Sequence, residues 1–192
     1  MPLPPPAPRA DAHLRQVTYR GYAREDGLWD MEGELKDTKP YDIDMRLRGP
    51  LPAGEPVHHM SVRVTIDDAM NIVDIVAVMD GTPFEYCQHA APPVRKLVGA
   101  TLGPGWRRAI NEAIGGTAGC THLRELLFGI ATCAFQTMGS YREHQRQLRG
   151  EAPVASGKPP HYMGKCMAWD FNGPIVAQVA PQFIGWHLTK PA

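Results

Sequence analysis

The sequence has no excess of charge of either sign. Its 192 residues include 20 lysines and arginines against 20 aspartates and glutamates, so the formal net charge at pH 7 is zero. Proteins that bind nucleic acid or anionic membranes through phosphate groups carry a basic surface. We therefore expect neither nucleic acid nor a membrane as a partner.

Long hydrophobic runs are missing as well. No apolar segment approaches the length of about 20 residues that a membrane-spanning helix needs. Residues 1–8 are rich in proline and lack the basic and then apolar pattern of a secretory signal. These two absences together predict a cytoplasmic protein.

Cysteine is scarce, and its spacing is unlike that of the common cysteine modules. The four cysteines, Cys87, Cys120, Cys133 and Cys166, lie far apart and form no CxxC pair. A disulfide framework and a zinc ribbon are therefore not expected. The GxGxxG, Walker and HExxH motifs are also missing, so we expect no organic cofactor.

The first third of the chain has the pattern of a hairpin behind an extended leader. Residues 1–12 are rich in proline and are expected to be disordered or extended. Polar and apolar residues alternate over His13–Tyr22, Asp26-Gly27 is a strong turn signal, and Leu28–Leu35 supplies the returning strand. The charged run that follows, Lys36–Tyr41, is predicted to be a solvated loop.

A second hairpin is predicted over residues 56–79. Pro56–Ile66 alternates with a period of two, which places His58 on the apolar face and His59 on the polar face. Asp67-Asp68 then turns the chain. The returning segment, Asn71–Met79, is apolar enough to be an interior strand.

Helical patterns fill the middle of the chain. Short helices are predicted over Val94–Val98 and Trp106–Ile114, followed by one long amphipathic helix over His122–Leu148. A third hairpin is predicted over residues 165–179, where an Asn-Gly turn separates two short runs. The aromatic tail over residues 181–188 is expected to pack on the core or on another subunit, which leaves a homo-oligomer open.

These elements predict an α+β fold. An antiparallel sheet built from hairpins packs against one long helix and several shorter ones. Residues 1–12 form the leader in this prediction, and residues 13–188 form a single domain.

The start of the long helix gathers three reactive side chains. Thr121 is a plausible helix cap, and Cys120 beside it lies at the positive end of the helix dipole, which favours a thiolate. His122 and Glu125 are three residues apart and share a helix face. Cys120 as nucleophile, His122 as proton carrier and Glu125 as its orienting carboxylate form a candidate catalytic group, with His58 nearby. The structural alternative is a capped helix with a packed cysteine and solvated His122 and Glu125.

A metal site is a second interpretation of the same region. Cys87, Cys120, His122 and His58 have the identities of a Cys2His2 zinc site, although their spacing matches no zinc module. Non-haem iron would use two histidines and a carboxylate, such as His58, His122 and Glu125. The sequence therefore leaves zinc as a possible cofactor.

Basic residues on the first strands are candidates for substrate binding. Arg20 and Arg24 are predicted to share a polar strand face with Arg15, and Lys39 follows in the next loop. Arginine binds carboxylates through two parallel hydrogen bonds, so this face is a candidate site for a substrate carboxylate. The structural alternative is a solvated face of the sheet.

Several segments of the sequence resemble one bacterial family. They are Tyr22–Asp30, Asp37–Lys39, Gly54–His58, Cys87 after Pro83, Leu97–Gly99, Gly103–Trp106 and Gly119–Leu126. The string Gly-Cys-Thr-His-Leu-x-Glu-Leu in the last segment is the most specific. Together they resemble the family called domain of unknown function 2889 over about residues 13–180. This resemblance implies no defined chemistry, beyond an association with bacterial catabolism, including that of aromatic compounds.

The sequence thus favours a small cytoplasmic catabolic enzyme, a lyase or a hydrolase. Its substrate would be a small organic acid or an aromatic carbonyl compound. Acid–base chemistry of His122 and Glu125 or thiolate chemistry of Cys120 would carry the reaction. The alternative is a non-catalytic binding or assembly protein with a structural metal site made of cysteine and histidine.

Overall fold

The computed structural model describes residues 3–152 and 157–186. The chain divides into two compact units, Met1–Gln145 and Arg146–Ala192, and each is described separately here. The single domain expected over residues 13–188 stays a prediction, and its residues 153–156, 187 and 188 lie outside the described part. Residues 3–12 are exposed and form no helix or strand, and their role as a leader stays a prediction.

A four-stranded antiparallel sheet dominates the first unit. Its strands are β1 (Leu14–Ala23), β2 (Trp29–Thr38), β5 (Pro56–Ile66) and β6 (Ile72–Gly81), in the order β1-β2-β5-β6. A separate ribbon of β3 (Ile43–Met45) and β4 (Gly49–Leu51) lies in the connection between β2 and β5. Both predicted hairpins of the sheet are therefore confirmed.

Helices follow the sheet in the chain. Two 3₁₀ helices, Glu85–Ala90 and Pro92–Leu97, precede α1 (Trp106–Ile114) and the long α2 (Thr121–Leu148). This arrangement confirms the predicted α+β class, with one long helix and shorter ones. Among the described residues, no helix combines the length and the apolar character needed to cross a bilayer.

One face of the sheet forms the core. Alternate residues of β2 are buried, from Trp29 through Leu35, and they share a hydrophobic cluster with buried residues of α2 such as Leu123 and Ile130. Removing such side chains from water contributes about 25 cal/mol per Å² of apolar surface. The opposite face stays open, with a shallow groove whose lining includes Arg20, Glu32 and Val76.

The long helix approaches the sheet where side chains are smallest. Added Cβ atoms at Gly21, Gly33 and Gly129 would overlap or press on atoms of the facing element. The hydroxyl of Tyr19 donates a hydrogen bond to the Leu126 carbonyl at 3.0 Å, which ties β1 to α2. These contacts fix where the first half of α2 lies over the sheet.

Two predictions about the sheet are wrong. The run after Leu35 is not a loop, because β2 continues to Thr38 and buries Asp37. The segment around Val76 is an edge strand and not an interior strand, because β6 pairs only with β5 within the sheet and exposes Val73, Val76 and Val78. Charge alone did not exclude a strand over residues 36–38, and apolar content alone did not place residues 71–79 inside the sheet.

The predicted third hairpin is also wrong. Residues Pro174–Val179 form α3, and Met167–Trp169 form a 3₁₀ turn. The backbone of Asp170 and Gly173 closes a turn, and proline then occupies the first helical position, where its missing N–H costs nothing. Val176 and Phe183 lie in the small core of this second unit.

The contact between Gly129 and Tyr19 predicts an unusual response to mutation. Glycine to alanine in a helix normally stabilises by about 0.5–1 kcal/mol, and we expect this gain for Gly139→Ala, where a Cβ meets nothing within 4 Å. In Gly129→Ala the new methyl overlaps the Tyr19 ring, so the free energy of unfolding should fall by about 1–3 kcal/mol. Urea denaturation of both variants measures the difference, and a stabilised Gly129→Ala protein would show that α2 does not approach β1 this closely.

Candidate functional site

A row of polar side chains crosses the covered face of the sheet. Arg15 of β1 is paired in register with Asp37 of β2, and Asp37 is paired with His58 of β5. Directly opposed residues on neighbouring strands have their Cβ atoms about 5 Å apart, so the three side chains meet on one face. The register of the sheet, and not a local sequence motif, builds this row.

Asp37 is the centre of the row and is only 3% exposed. Its two carboxylate oxygens accept hydrogen bonds from Nε and Nη2 of Arg15, each at 2.8 Å. The Nε2 atom of His13 lies 3.0 Å from Oδ1, and the Nδ1 atom of His58 lies 3.2 Å from Oδ2. Burial raises the pKa of Asp37, but the hydrogen bonds and charge of Arg15, together with the hydrogen bond to His13 and the electrostatic effect of His58, hold the net pKa below its ordinary value.

The first turn of α2 brings a second histidine to the same carboxylate. The Nε2 atom of His122 lies 3.8 Å from Oδ2 of Asp37, and its Nδ1 atom lies 3.7 Å from Sγ of Cys120. The rings of His122 and His58 stack with centroids 3.9 Å apart and an angle of 32° between their planes. His122 therefore stands between the Cys120 thiol and the Asp37 carboxylate.

Cys120, rather than Thr121, occupies the cap position of α2. The helix begins at Thr121, and the Cys120 carbonyl accepts the first helical hydrogen bond from the amide of Arg124. Burial raises the pKa of the Cys120 thiol, but hydrogen bonds from the His122 ring and from the backbone amides of Leu123 and His122 outweigh it, so the net pKa is lowered. The Cys120 sulfur thus takes the place of an oxygen cap at the N-terminus of α2, where the helix dipole favours a negative charge.

The two stacked histidines have opposite tendencies to bind a proton. The hydrogen bond with Cys120 raises the pKa of His122 against the effect of burial. Burial and the neighbouring His122 lower the pKa of His58, although Asp37 acts in the other direction. One ring is therefore disposed to be an imidazolium and the other a neutral imidazole.

The structure brings together only some of the residues singled out from the sequence. Cys120, His122 and His58 meet, whereas the Glu125 carboxylate binds Nη1 of Arg15 at 2.7 Å, and the carboxylate beside His122 is that of Asp37. Cys87 is half-buried in the 3₁₀ helix Glu85–Ala90, packed against the core.

The proposed substrate-binding residues lie in different places. Arg20 lines the groove on the open face of the sheet, whereas Arg15 lies on the covered face. The prediction that the two arginines share a face is therefore wrong. Arg24 pairs with Asp26 and Asp30 at the β1–β2 turn, and Lys39 directly follows β2. A role in substrate binding stays a prediction for Arg20, Arg24 and Lys39.

Sequence reasoning missed Asp37 as the centre, and with it the contacts of Arg15 and His13. A signal for Asp37 was present: it continues the period-two series of Met31 and Leu35 on the buried face. A carboxylate at the end of an apolar strand face needs compensating partners, which is a reason to look for a site there.

One group of the described residues has the geometry to hold a metal ion. Asp37, His58 and His122 each offer one ligand atom, and these atoms lie within 4.8 Å of one another. Two imidazoles and a carboxylate suit divalent transition metals. Within residues 3–152 and 157–186 the predicted set with Cys87 and Cys120 does not form such a group, and Asp37 stands where the iron alternative had Glu125.

Comparison with protein families gives one match. The family described as "Protein of unknown function (DUF2889)" matches residues 13–136, which include all four strands of the sheet and the first half of α2. The chain belongs to the DUF2889 family. No curated protein and no solved structure matches the chain. All the residues that meet at Asp37 in this DUF2889 protein lie inside the matched segment.

The environment of Asp37 predicts a pH-dependent contribution to stability. Because its pKa is lower in the folded than in the unfolded chain, the stabilisation is present above the unfolded-state value of about 4 and is lost as the pH falls through the folded value. Asp37→Asn should lower the free energy of unfolding by about 1.5–3 kcal/mol near neutral pH.

Denaturant unfolding of wild type and Asp37→Asn between about pH 7 and pH 3 tests this expectation. The difference between the two proteins should shrink toward zero with acidification. Asp74→Asn, at a position with a side chain 55% exposed, is the matched control and should change stability by less than about 0.5 kcal/mol. A difference that stays constant over this range would contradict the assigned ionisation of Asp37.

Proposed function

We propose that this DUF2889 protein is a small catabolic enzyme of the bacterial cytoplasm, a hydrolase or a lyase, that acts through Cys120 and His122. The observation that carries the proposal is the position of the His122 ring, with Nδ1 toward the Cys120 sulfur and Nε2 toward the Asp37 carboxylate. A nucleophile, a base and an orienting carboxylate in this order are the parts of a nucleophilic catalytic centre. The substrate class that we propose is a small organic acid or an aromatic carbonyl compound.

The hydrolytic version of this chemistry uses only groups of the chain and water. The Cys120 thiolate forms a bond to the substrate carbonyl carbon, and His122 as imidazolium donates its proton to the leaving group as the scissile bond breaks. His122 then takes a proton from water, whose oxygen attacks the thioester and releases the acid and the thiolate. Asp37 holds the ring and stabilises its protonated form through both steps.

His58 and Glu125 have supporting positions in this scheme. His58 stacks on the ring face of His122 and contacts the same Asp37 oxygen, so it limits the tilt of the catalytic imidazole. Glu125 contacts Arg15 instead of His122. The proposal therefore assigns to Asp37 the orienting role that the sequence suggested for Glu125.

Thiol alkylation tests the proposal without a known substrate. Iodoacetamide is neutral and reacts with thiolates, so its rate at Cys120, read from peptide masses, should rise at a pH at least about one unit lower than in His122→Gln. Cys120→Ser removes the signal, and Cys166, which is exposed, is an internal control for reagent quality in every sample. An identical pH profile in wild type and His122→Gln would remove the basis for thiolate catalysis.

A second candidate is a non-catalytic protein in which this site holds zinc. The observation that favours it is that Nδ1 of His58 and Nε2 of His122 both face Oδ2 of Asp37. A divalent ion among these atoms would have two imidazoles and a carboxylate as ligands, which is a donor set that zinc accepts. Burial and the neighbouring His122 lower the pKa of His58, which favours the neutral ring that a metal ligand needs.

Metal titration with a matched pair of histidine variants separates the two candidates. Zinc should bind the chelator-treated protein with a stoichiometry of one in calorimetry, and His58→Gln should weaken it at least about 10-fold. His59→Gln is the control, because His59 contacts Glu34 on the opposite face of the sheet. Equal affinity in both variants would contradict zinc at Asp37, and tight zinc with no activated Cys120 would favour the non-catalytic function.

A further inference from the structure

Arg15 joins the three elements that build the proposed centre. Its Nε and Nη2 atoms donate to the two oxygens of Asp37 on β2, and its Nη1 atom donates to Glu125 in the first turns of α2. Arg15 itself belongs to β1. One guanidinium therefore connects the sheet to the helix start that carries Cys120 and His122.

The two contacts with Asp37 fix the plane of that carboxylate. A guanidinium has a rigid planar fork that matches both oxygens of a carboxylate, whereas the ammonium of a lysine is a point charge without this preference. With the fork in place, Oδ2 of Asp37 points to both His58 and His122. A carboxylate free to rotate about its Cβ–Cγ bond would hold the His122 ring less well.

The third contact of Arg15 is with Glu125 of α2. Glu125 is exposed, with 59% of its side chain accessible, and its ion pair with Arg15 lies one turn beyond His122. This pair restrains the helix start relative to β1. Arg15 thus holds both partners of the contact between His122 and Asp37. It binds Asp37 directly, and it restrains the helix that carries His122 through Glu125.

We propose that Arg15 is a positioning residue of the Cys120–His122–Asp37 centre, acting through the orientation of the Asp37 carboxylate and not through contact with substrate. This inference rests on the proposed function. It assigns the role to the shape of the guanidinium as well as to its charge, so arginine and lysine are not equivalent at this position.

A double-mutant cycle tests the role of Arg15. The measured quantity is the rate of Cys120 alkylation by iodoacetamide at about pH 7, resolved by peptide mass, in chelator-treated protein. Arg15→Lys keeps the charge but not the fork, and it should slow the reaction about threefold to tenfold, in the same direction as Asp37→Asn. In the Asp37→Asn background, Arg15→Lys should change the rate by less than about 1.5-fold, because the carboxylate that Arg15 orients is no longer present.

A spectroscopic readout separates positioning from stability. The ¹⁵N chemical shifts of the His122 ring report its protonation and hydrogen bonding, and we expect them to move in Arg15→Lys toward the values found in Asp37→Asn. Arg63→Lys is the matched control, because Arg63 also pairs with a carboxylate on the next strand, Glu32 at 2.7 Å, but on the open face. It should leave both the His122 shifts and the Cys120 rate unchanged.

Glu125→Gln keeps the test decisive if Arg15→Lys does not fold. This exposed position tolerates substitution, and loss of the ion pair should slow Cys120 alkylation less than Arg15→Lys but in the same direction. Wild-type rates and ¹⁵N shifts in both variants, or additive effects of Arg15→Lys and Asp37→Asn, would overturn the role of Arg15. The proposed function fails separately, by absence of an activated Cys120 in the wild-type protein.

Discussion

A carboxylate buried on the covered face of a β-sheet is the constraint on which this structure depends. Taking Asp37 out of water costs several kcal/mol unless its oxygens are compensated by hydrogen bonds and charge. The compensation comes from Arg15 on β1, from His58 on β5 and from His13 just before β1. Because the partners belong to different strands, the register of the sheet and the chemistry of the site are fixed together.

The helix N-terminus adds an unequal pair of histidines to this carboxylate. His122 contacts both Asp37 and the Cys120 thiol, which favours its protonated form, while His58 is stacked beneath it and is driven toward the neutral form. Two adjacent rings with opposite protonation tendencies are what an acid–base centre requires. The same nitrogen atoms belong to the group that could hold a metal ion, so the two proposed functions would use one set of atoms.

Local sequence signals were sufficient for most of the fold. Asp26-Gly27 marked the first hairpin, strict alternation over Pro56–Ile66 marked β5, and glycines on both sides of Trp106–Ile114 bounded α1. The third hairpin failed because Asn-Gly followed by proline is compatible both with a strand turn and with a helix start, and here the chain forms a helix that buries Val176.

Only the residues of the site that local sequence patterns mark could be predicted. Cys120, His122 and His58 were found from the helix start and from strand alternation, which are local features. The role of Asp37 depends on which residues face it across two strand pairs, and spacing within α2 pointed instead to Glu125, which Arg15 binds from 110 residues away in the chain. Long-range register therefore separates the residues that sequence reasoning found from those that it missed.

The central claim is that the two histidines stacked beside Asp37 have unlike proton affinities, because Cys120 raises the pKa of His122 while burial and His122 lower the pKa of His58. An NMR titration of ¹⁵N-labelled, metal-free protein, following the ring nitrogens of His58 and His122, measures this directly. The account predicts that His122 titrates at a higher pH than His58, and that Asp37→Asn lowers the pKa of His122. Two histidines that titrate together, and that do not respond to the loss of Asp37, would contradict it.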